Sequence, residues 1–232
     1  MRLKERRLRI WDRSFLAYRY LWQNLERAVG EARQQLAPDA VVLDIGCGNK
    51  PYADLFGGCV HVGLNNSTVD AVPDVVGDAT RLPIASASID LVFCTQVLEH
   101  VPHPRRLLEE CRRVLKPAGW LVLSAPFYWP LHEEPHDFFR YTRYGLERLT
   151  SEAGLDCCRI TPDGGDCARF FLSAVHILPR WLEIPLRIPL NVLGVVLDGA
   201  FHRTTFPANY TVLARVPRLN GSRAGVGATS SS

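Results

Sequence analysis

The sequence predicts an α/β fold: a doubly wound sheet, mostly parallel with an antiparallel last strand, and helices on both faces. Three observations predict it. Short strand-like runs alternate with amphipathic helical stretches, the order that builds a parallel sheet through crossovers. The runs are apolar with little alternation, as strands covered on both faces must be. The first of them, "VVLDIGCGNKPY" at 41–52, ends in an acid followed by two glycines at alternate positions. In an open parallel sheet, ligands bind beyond the carboxyl ends of the strands, where such a turn would lie.

In chain order, residues 11–36 read as a helix, with Trp11, Phe15, Tyr18 and Trp22 at three- to four-residue spacing and Pro38 just beyond. Strands follow at 40–45, 60–64, 74–76, 89–94 and 119–125. Between the last two, a helix from about Pro104 to Leu115 puts Leu107, Leu108, Cys111, Val114 and Leu115 on one face; "KPAG" then stops it and turns the chain. Another helix runs from about Thr142 to Ala153 and closes on Gly154. The stretch 170–201 is rich in Leu, Ile and Val, yet Pro179, Pro185 and Pro189 interrupt it, and Arg180, Glu183, Arg187 and Asp198 charge it. A membrane span needs about 20 mainly apolar residues with few charges. The expectation is therefore broken helices packed on the domain, with docking onto a membrane surface as the second reading. "NYTVLARV" (209–216) reads as the final strand. This divides the chain into an N-terminal helical segment (1–37), a domain over 38–216 with an apolar insertion at about 165–205, and a disordered tail (217–232).

Composition sets broad bounds. The 232 residues are 47% hydrophobic and 22% charged, enough for one large α/β domain. A net charge of +3 is too mild to indicate nucleic acid, and no nucleic-acid partner is expected. No apolar stretch resembling a signal peptide follows the basic start "MRLKERRLRIWDR", and the seven cysteines include no C-x-x-C pair. A reduced, cytoplasmic protein is the simple expectation.

The glycine turn narrows the ligand. A dinucleotide site calls for G-x-G-x-x-G with a pyrophosphate on a helix N-terminus. Here the pattern is D-x-G-x-G, and Pro51 stands where a third glycine would be. A carboxylate suits a cationic ligand group better than a diphosphate; S-adenosylmethionine carries such a group, its ammonium, and no phosphate. At this point the chain resembles the class I S-adenosylmethionine-dependent methyltransferases, especially methyltransferase type 11. The matching pieces occur in family order: "VLDIGCGNKPY", "HVGLNNS", "VVGDATRLPIASASIDLVFCTQVLEHV" and "RVLKPAGWLVLSAP", within roughly residues 38–155. The resemblance implies a Rossmann-like fold, S-adenosyl-L-methionine as cofactor, and a small-molecule acceptor. It implies that Asp44, Gly46, Cys47 and Gly48 line the methionine and ribose part, that Asp78 with Ala79 meets the adenine, and that Gln96 covers the methionine end. Asn65 departs from the family, which usually ends its second strand in Asp or Glu to grip the ribose hydroxyls; Asp70 is the substitute if Asn65 does not serve.

The segment "PFYWPLHEEPHDFFRYT" (126–142) is the candidate catalytic region. Its H-E-x-x-H string would bind zinc only on a helix, where both histidines share a face; Pro135 opposes that helix, and no metal is expected. As the loop after the fifth strand it would lie over the methyl group. Methyl transfer from a sulfonium is an in-line displacement governed by positioning, and a base is needed only for a hydroxyl or acidic carbon. His136 is the first candidate base, with His132, His100 and Asp137 as further ones. The alternative is that His136 and Asp137 only brace the loop. Similar stretches occur in methyltransferase-like proteins linked to glycan or lipid synthesis. The basic Arg2, Lys4, Arg6, Arg7 and Arg9, taken with the apolar insertion, then predict peripheral membrane contact and a lipid- or glycan-linked acceptor. Asn65 and the unusual insertion motivate the competing reading, a non-catalytic cofactor-binding or partner module.

Overall fold

The computed structural model describes residues 9–218 except Asp70 and His202. The expectations placed on Arg2, Lys4, Arg6, Arg7 and Asp70, and on the tail from residue 219, fall outside the described residues.

Seven strands form one sheet: β1 (Val41–Ile45), β2 (Val60–Asn65), β3 (Val75–Val76), β4 (Ile89–Thr95), β5 (Leu115–Pro126), β6 (Asp156–Asp163) and β7 (Asn209–Arg215). Their order is β3-β2-β1-β4-β5-β7-β6. The first five are parallel, and β7 runs against both neighbours. From β1 the chain first builds outward through β2 and β3, then returns to lay β4 on the other side. The order therefore reverses between β1 and β4, and a crevice at their carboxyl ends is where a doubly wound sheet receives its ligand.

Both faces of the sheet are covered, which explains the apolar strands. On one face Leu43, Ile45, Val92, Cys94, Leu121 and Leu123 pack against helices α2 (Pro104–Val114) and α3 (Arg143–Glu152). On the other, Val42, Leu91, Phe93 and Val122 meet Leu21, Leu25 and Val29 of α1 (Phe15–Arg33), with Tyr52 and Phe56 closing the layer. The inward/outward period of two assigns Leu43 and Ile45 to one layer and Val42 and Asp44 to the other.

Four local readings are corrected. Helix α1 begins at Phe15 rather than at 11, and Trp11 is exposed instead of joining the apolar stripe. "KPAG" does not turn the chain out of the sheet: β5 starts at Leu115 and absorbs 116–119 as a bulge, the register stepping from Ile89↔Leu115 to Leu91↔Trp120. Ala118 takes φ 63° there, a left-handed residue that makes room for the extra chain. Strand β6 was not expected, because "DCCRITPD" lies at the sheet edge and lacks an apolar repeat. Finally, the insertion forms α4 (Asp166–Ile177) and α5 (Arg180–Ala200); Pro179 separates them, but Pro185 and Pro189 sit inside α5 without breaking it. Both prolines are on its exposed side, so the carbonyls they leave unbonded face outward.

Candidate active site

The loop after β1 turns on two left-handed glycines, Gly46 at φ 72° and Gly48 at φ 51°. A Cβ on Gly46 would stand 2.3 Å from Val97 Cγ2, so the glycine lets the β1 and β4 loops touch. A Cβ on Gly48 would meet nothing within 4 Å: that backbone faces open space, free for a ligand's close approach. The amides of Gly46 and Cys47 both donate to Leu64 O, at 2.8 and 3.1 Å, and moor the loop on the end of β2.

Asp44 is 1% exposed, and His61 Nε2 lies 3.2 Å from its Oδ2. Cys47 is buried with its sulfur packed over Gly63, and burial pushes the thiol up to about 11, so this side chain packs the loop rather than reacting. Asn65 donates through Nδ2 to Ser67 O at 3.2 Å. Asp78 accepts from Thr80 N at 2.7 Å and Thr80 Oγ1 at 2.9 Å, all through Oδ1, which leaves Oδ2 for an incoming donor; Ala79 beside it is half-buried. Gln96 ends β4 at φ 55° and is held by Ser124, through its backbone amide at 3.1 Å and Nε2 at 3.2 Å. The structure thus brings Asp44, Gly46, Gly48 and Gln96 to the β1/β4 reversal, with Asn65 and Asp78 at the ends of β2 and β3. Open backbone at Gly48 and an unspent oxygen on Asp78 fit a ligand carrying an ammonium and an amino-bearing ring.

The 127–142 loop is irregular, so the H-E-x-x-H string is not helical. His136, the first candidate base, is exposed; its ring packs 6.2 Å from Phe138, and only its carbonyl reaches inward, to His100 Nδ1 at 2.7 Å. Asp137 is gripped by Arg140 through two bonds of 2.6 and 2.7 Å and accepts from His132 N at 3.0 Å. Arg140 holds this carboxyl well below the usual carboxylate range, which suits bracing and not proton abstraction. His100 and His132 do come together, ring centroids 4.8 Å apart. Between them lies a residue the sequence reading passed over, Glu99. It is fully buried, and burial pushes its carboxyl up to about 8. The signal was available: the acid in "VLEHV" directly precedes His100 on a one-turn 3₁₀ segment whose buried side is Leu98 and Glu99.

A cavity of about 420 Å³ opens between this loop and α4, lined by aromatic and apolar groups including Phe127, Tyr128, Trp129 and Leu172, with Arg140, Arg169 and His176 among them. Arg169 lies over the Tyr128 ring at 3.7 Å, and its Nε is buried without a hydrogen-bond partner among the described residues. Trp129 also lines a small recess with Gln96, Tyr18 and Asn209, so this one indole stands between the cavity and the end of β4.

A family model described as a methyltransferase domain, type 11, matches residues 43–123, which hold β2, β3 and β4 and most of β1 and β5. A probable S-adenosylmethionine-dependent methyltransferase of Mycobacterium tuberculosis is 32% identical over 136 residues, 51% of this chain and 49% of that one. Over residues 43–123 the chain therefore matches a class I S-adenosylmethionine-dependent methyltransferase domain. S-adenosylmethionine is the cofactor of that domain. A ubiquinone biosynthesis O-methyltransferase of Paracidovorax citrulli is 32% identical over 100 residues, 36% of this chain and 42% of that one. The chain thus spans under half the length of these curated relatives. Among solved structures, a methyltransferase from Archaeoglobus fulgidus superposes with TM-score 0.55 at 16% identity, over 82% of this chain and 94% of that one. A cyclase superposes equally well, with TM-score 0.55 at 18% identity, over 83% of this chain and 81% of that one. The architecture of the methyltransferase domain therefore does not by itself dictate methyl transfer.

Proposed function

We propose that this chain transfers a methyl group from S-adenosylmethionine to an amphipathic small-molecule acceptor, lipid- or glycan-linked, at the cytoplasmic surface of a membrane. The observation that carries the proposal is the apolar cavity beside Trp129. It adjoins the Gln96 end of the cofactor crevice and contains a buried guanidinium nitrogen that wants an acceptor, so it suits a ligand with an apolar body and an anionic or oxygen-rich head. The rim continues onto an exposed apolar stripe, Ile177, Trp181, Ile184, Ile188, Val192 and Val196. No helix among the described residues is long and apolar enough to cross a membrane, so contact would be peripheral. Seven unpaired cysteines support a reducing compartment. The relatives named for ubiquinone biosynthesis support an O-methyl acceptor. In this reading Asp44, Gly46, Gly48, Asn65, Asp78 and Gln96 hold the cofactor, and His100 or His132 receives the acceptor's proton.

The test supplies S-adenosylmethionine with a labelled methyl group and a cell extract, then separates organic from aqueous products. Label in the organic phase is expected. Label confined to water-soluble metabolites overturns the lipid-linked acceptor, and no label with intact cofactor binding favours a non-catalytic module. Asp44→Ala should weaken cofactor binding by about 1–3 kcal/mol, the usual result of leaving a charged partner unpaired. Unchanged affinity would place the cofactor elsewhere.

A further inference from the structure

Glu99, His100 and His132 each present a ligand atom, and these atoms all lie within 4.8 Å of one another. Glu99 Oε1 is 3.8 Å from His100 Nε2 and 4.0 Å from His132 Nε2, too far for either to be a hydrogen bond. Among the described residues, neither carboxylate oxygen of Glu99 has a hydrogen-bond partner, although the side chain is fully buried. A buried carboxylate with nothing bonded to it is costly unless it keeps its proton or a cation joins it.

The imidazoles are oriented from outside. His100 Nδ1 faces the carbonyl of His136 at 2.7 Å, and a carbonyl only accepts, so the Nδ1 carries the proton and Nε2 offers its lone pair. His132 Nδ1 lies 3.2 Å from Pro130 O and 3.3 Å from Asp137 Oδ2, again two acceptors, which leaves its Nε2 lone pair pointing toward Glu99. Two lone pairs and the Glu99 carboxyl thus converge, and a cation arriving between them takes the place of the carboxyl's proton. Outer acceptors on Nδ1 are the arrangement that metal-binding histidines use to set tautomer and ring direction. Both strands of this framework are tied together, since Phe138 N donates to Glu99 O at 2.9 Å and Tyr141 to Leu98 O at 3.0 Å. Glu133 adds a carboxylate at the exposed mouth, 3.8 Å from His100 Nε2.

We propose that Glu99, His100 and His132 form a binding site for a divalent transition-metal ion, with Zn²⁺ the best match to two imidazoles and one carboxylate. Ligand atoms about 2.0–2.1 Å from such an ion lie about 3.3 Å apart in a tetrahedron, so modest side-chain rotations close the set. Three protein ligands leave a further position for water or an acceptor oxygen; with both Nε2 lone pairs on the ion, its polarisation of that oxygen would take the place of proton uptake by His100 or His132. The use of that position on an acceptor rests on the methyl-transfer reading; the binding of the ion does not.

The full chain, stripped with chelator and dialysed, is titrated with Zn²⁺ by calorimetry and with Co²⁺ by visible absorption. One ion per chain is expected, with Co²⁺ bands of a low-coordinate nitrogen and oxygen site. Glu99→Gln keeps the shape and removes the charge, and His132→Ala removes a ligand; each should weaken binding by more than the roughly 10–100-fold typical of losing an outer partner. Asp137→Asn should weaken it within that range, and His103→Ala, at the exposed start of α2, should not change it. Melting curves of the metal-free variants show whether a loss is only unfolding, and if Glu99→Gln melts early, His132→Ala decides. No stoichiometric ion in the wild-type chain, or wild-type affinity in both ligand variants, overturns the site. An ion that binds to a chain with no affinity for S-adenosylmethionine leaves the site standing and sinks the methyl-transfer reading instead.

Discussion

Helices α2 and α5 are amphipathic in opposite senses. Helix α2 buries Leu107, Leu108, Cys111 and Val114 and turns Arg105 and Glu109 outward, where they pair at 2.8 Å. Helix α5 buries Glu183, Asn191, Gly194 and Asp198 and turns Trp181, Ile184, Ile188, Val192 and Val196 outward, Trp181 being 76% exposed. The polar inner face of α5 has specific work. Asn191 Nδ2 reaches Ile10 O at 2.7 Å and Asp12 O at 3.1 Å, and Arg187, paired with Glu183, reaches Trp11 O at 3.0 Å. Asp198 accepts from Gly165 N and Ala168 N, both at 3.0 Å, and so caps the start of α4. One helix is held mainly by the hydrophobic effect; the other adds hydrogen bonds to a narrow apolar contact of Gly194 and Val195 with Leu16 and Phe171. Since burying a large apolar side chain contributes about 1.5–3 kcal/mol, the outer face of α5 leaves unused an apolar stripe that none of the described residues covers.

That contrast can be broken most sharply in α2. Leu108→Ala should destabilise by about 2–5 kcal/mol, read by chemical denaturation. Ile188→Ala costing as much would mean that α5 is held in the ordinary way. Next comes the polar anchorage at the base of the insertion, where Asp163 is buried between Asn24 (2.7 Å) and Thr211 (2.8 Å). Burial pushes its carboxyl up from 3.8 to about 7. The fold thus prefers the protonated form, so this contribution is complete below about pH 4 and is lost as pH rises toward 7. Each pH unit in that window removes at most about 1.4 kcal/mol, and Asp163→Asn should flatten the slope relative to wild type. Parallel stability curves for the two proteins would show that no proton is involved. Asp198→Ala should cost about 1–3 kcal/mol by leaving two buried amides unpaired, and protease cleavage within 165–205 should rise before global unfolding. The smallest effect on folding is expected on the outer face: Trp181→Ser with Ile188→Ser should stay within about 0.5 kcal/mol per site, yet abolish sedimentation with anionic liposomes. Equal sedimentation of that double variant would assign membrane contact to another surface.

The sheet and the glycine turn that ends β1 were legible because their signals are local. Unbroken apolar runs mark doubly covered strands, and an acid with spaced glycines marks the turn at β1. Helix α5 was misread because proline reports only on the hydrogen bond it removes, not on whether that bond faces the core. Edge strand β6 was invisible because it is specified by pairing with β7 rather than by its own pattern. The histidine cluster was half legible. His100 and His132 stood out as residues, but Glu99 gains its character from burial under a loop that begins more than twenty-five positions later, which no spacing rule encodes. His136 was given first place on side-chain chemistry, whereas the fold uses its carbonyl.

Arg140 belongs to two places at once. Its guanidinium lines the cavity beside Trp129, and the same group clamps Asp137, which in turn orients His132. An anionic head entering that cavity competes with Asp137 for one cation. A ligand that loosened the clamp would also free the imidazole, and would thereby couple occupancy of the cavity to the state of the histidines. Such coupling is reciprocal by necessity: a ligand that alters the histidines' affinity for a proton or ion must find its own affinity altered by the same factor.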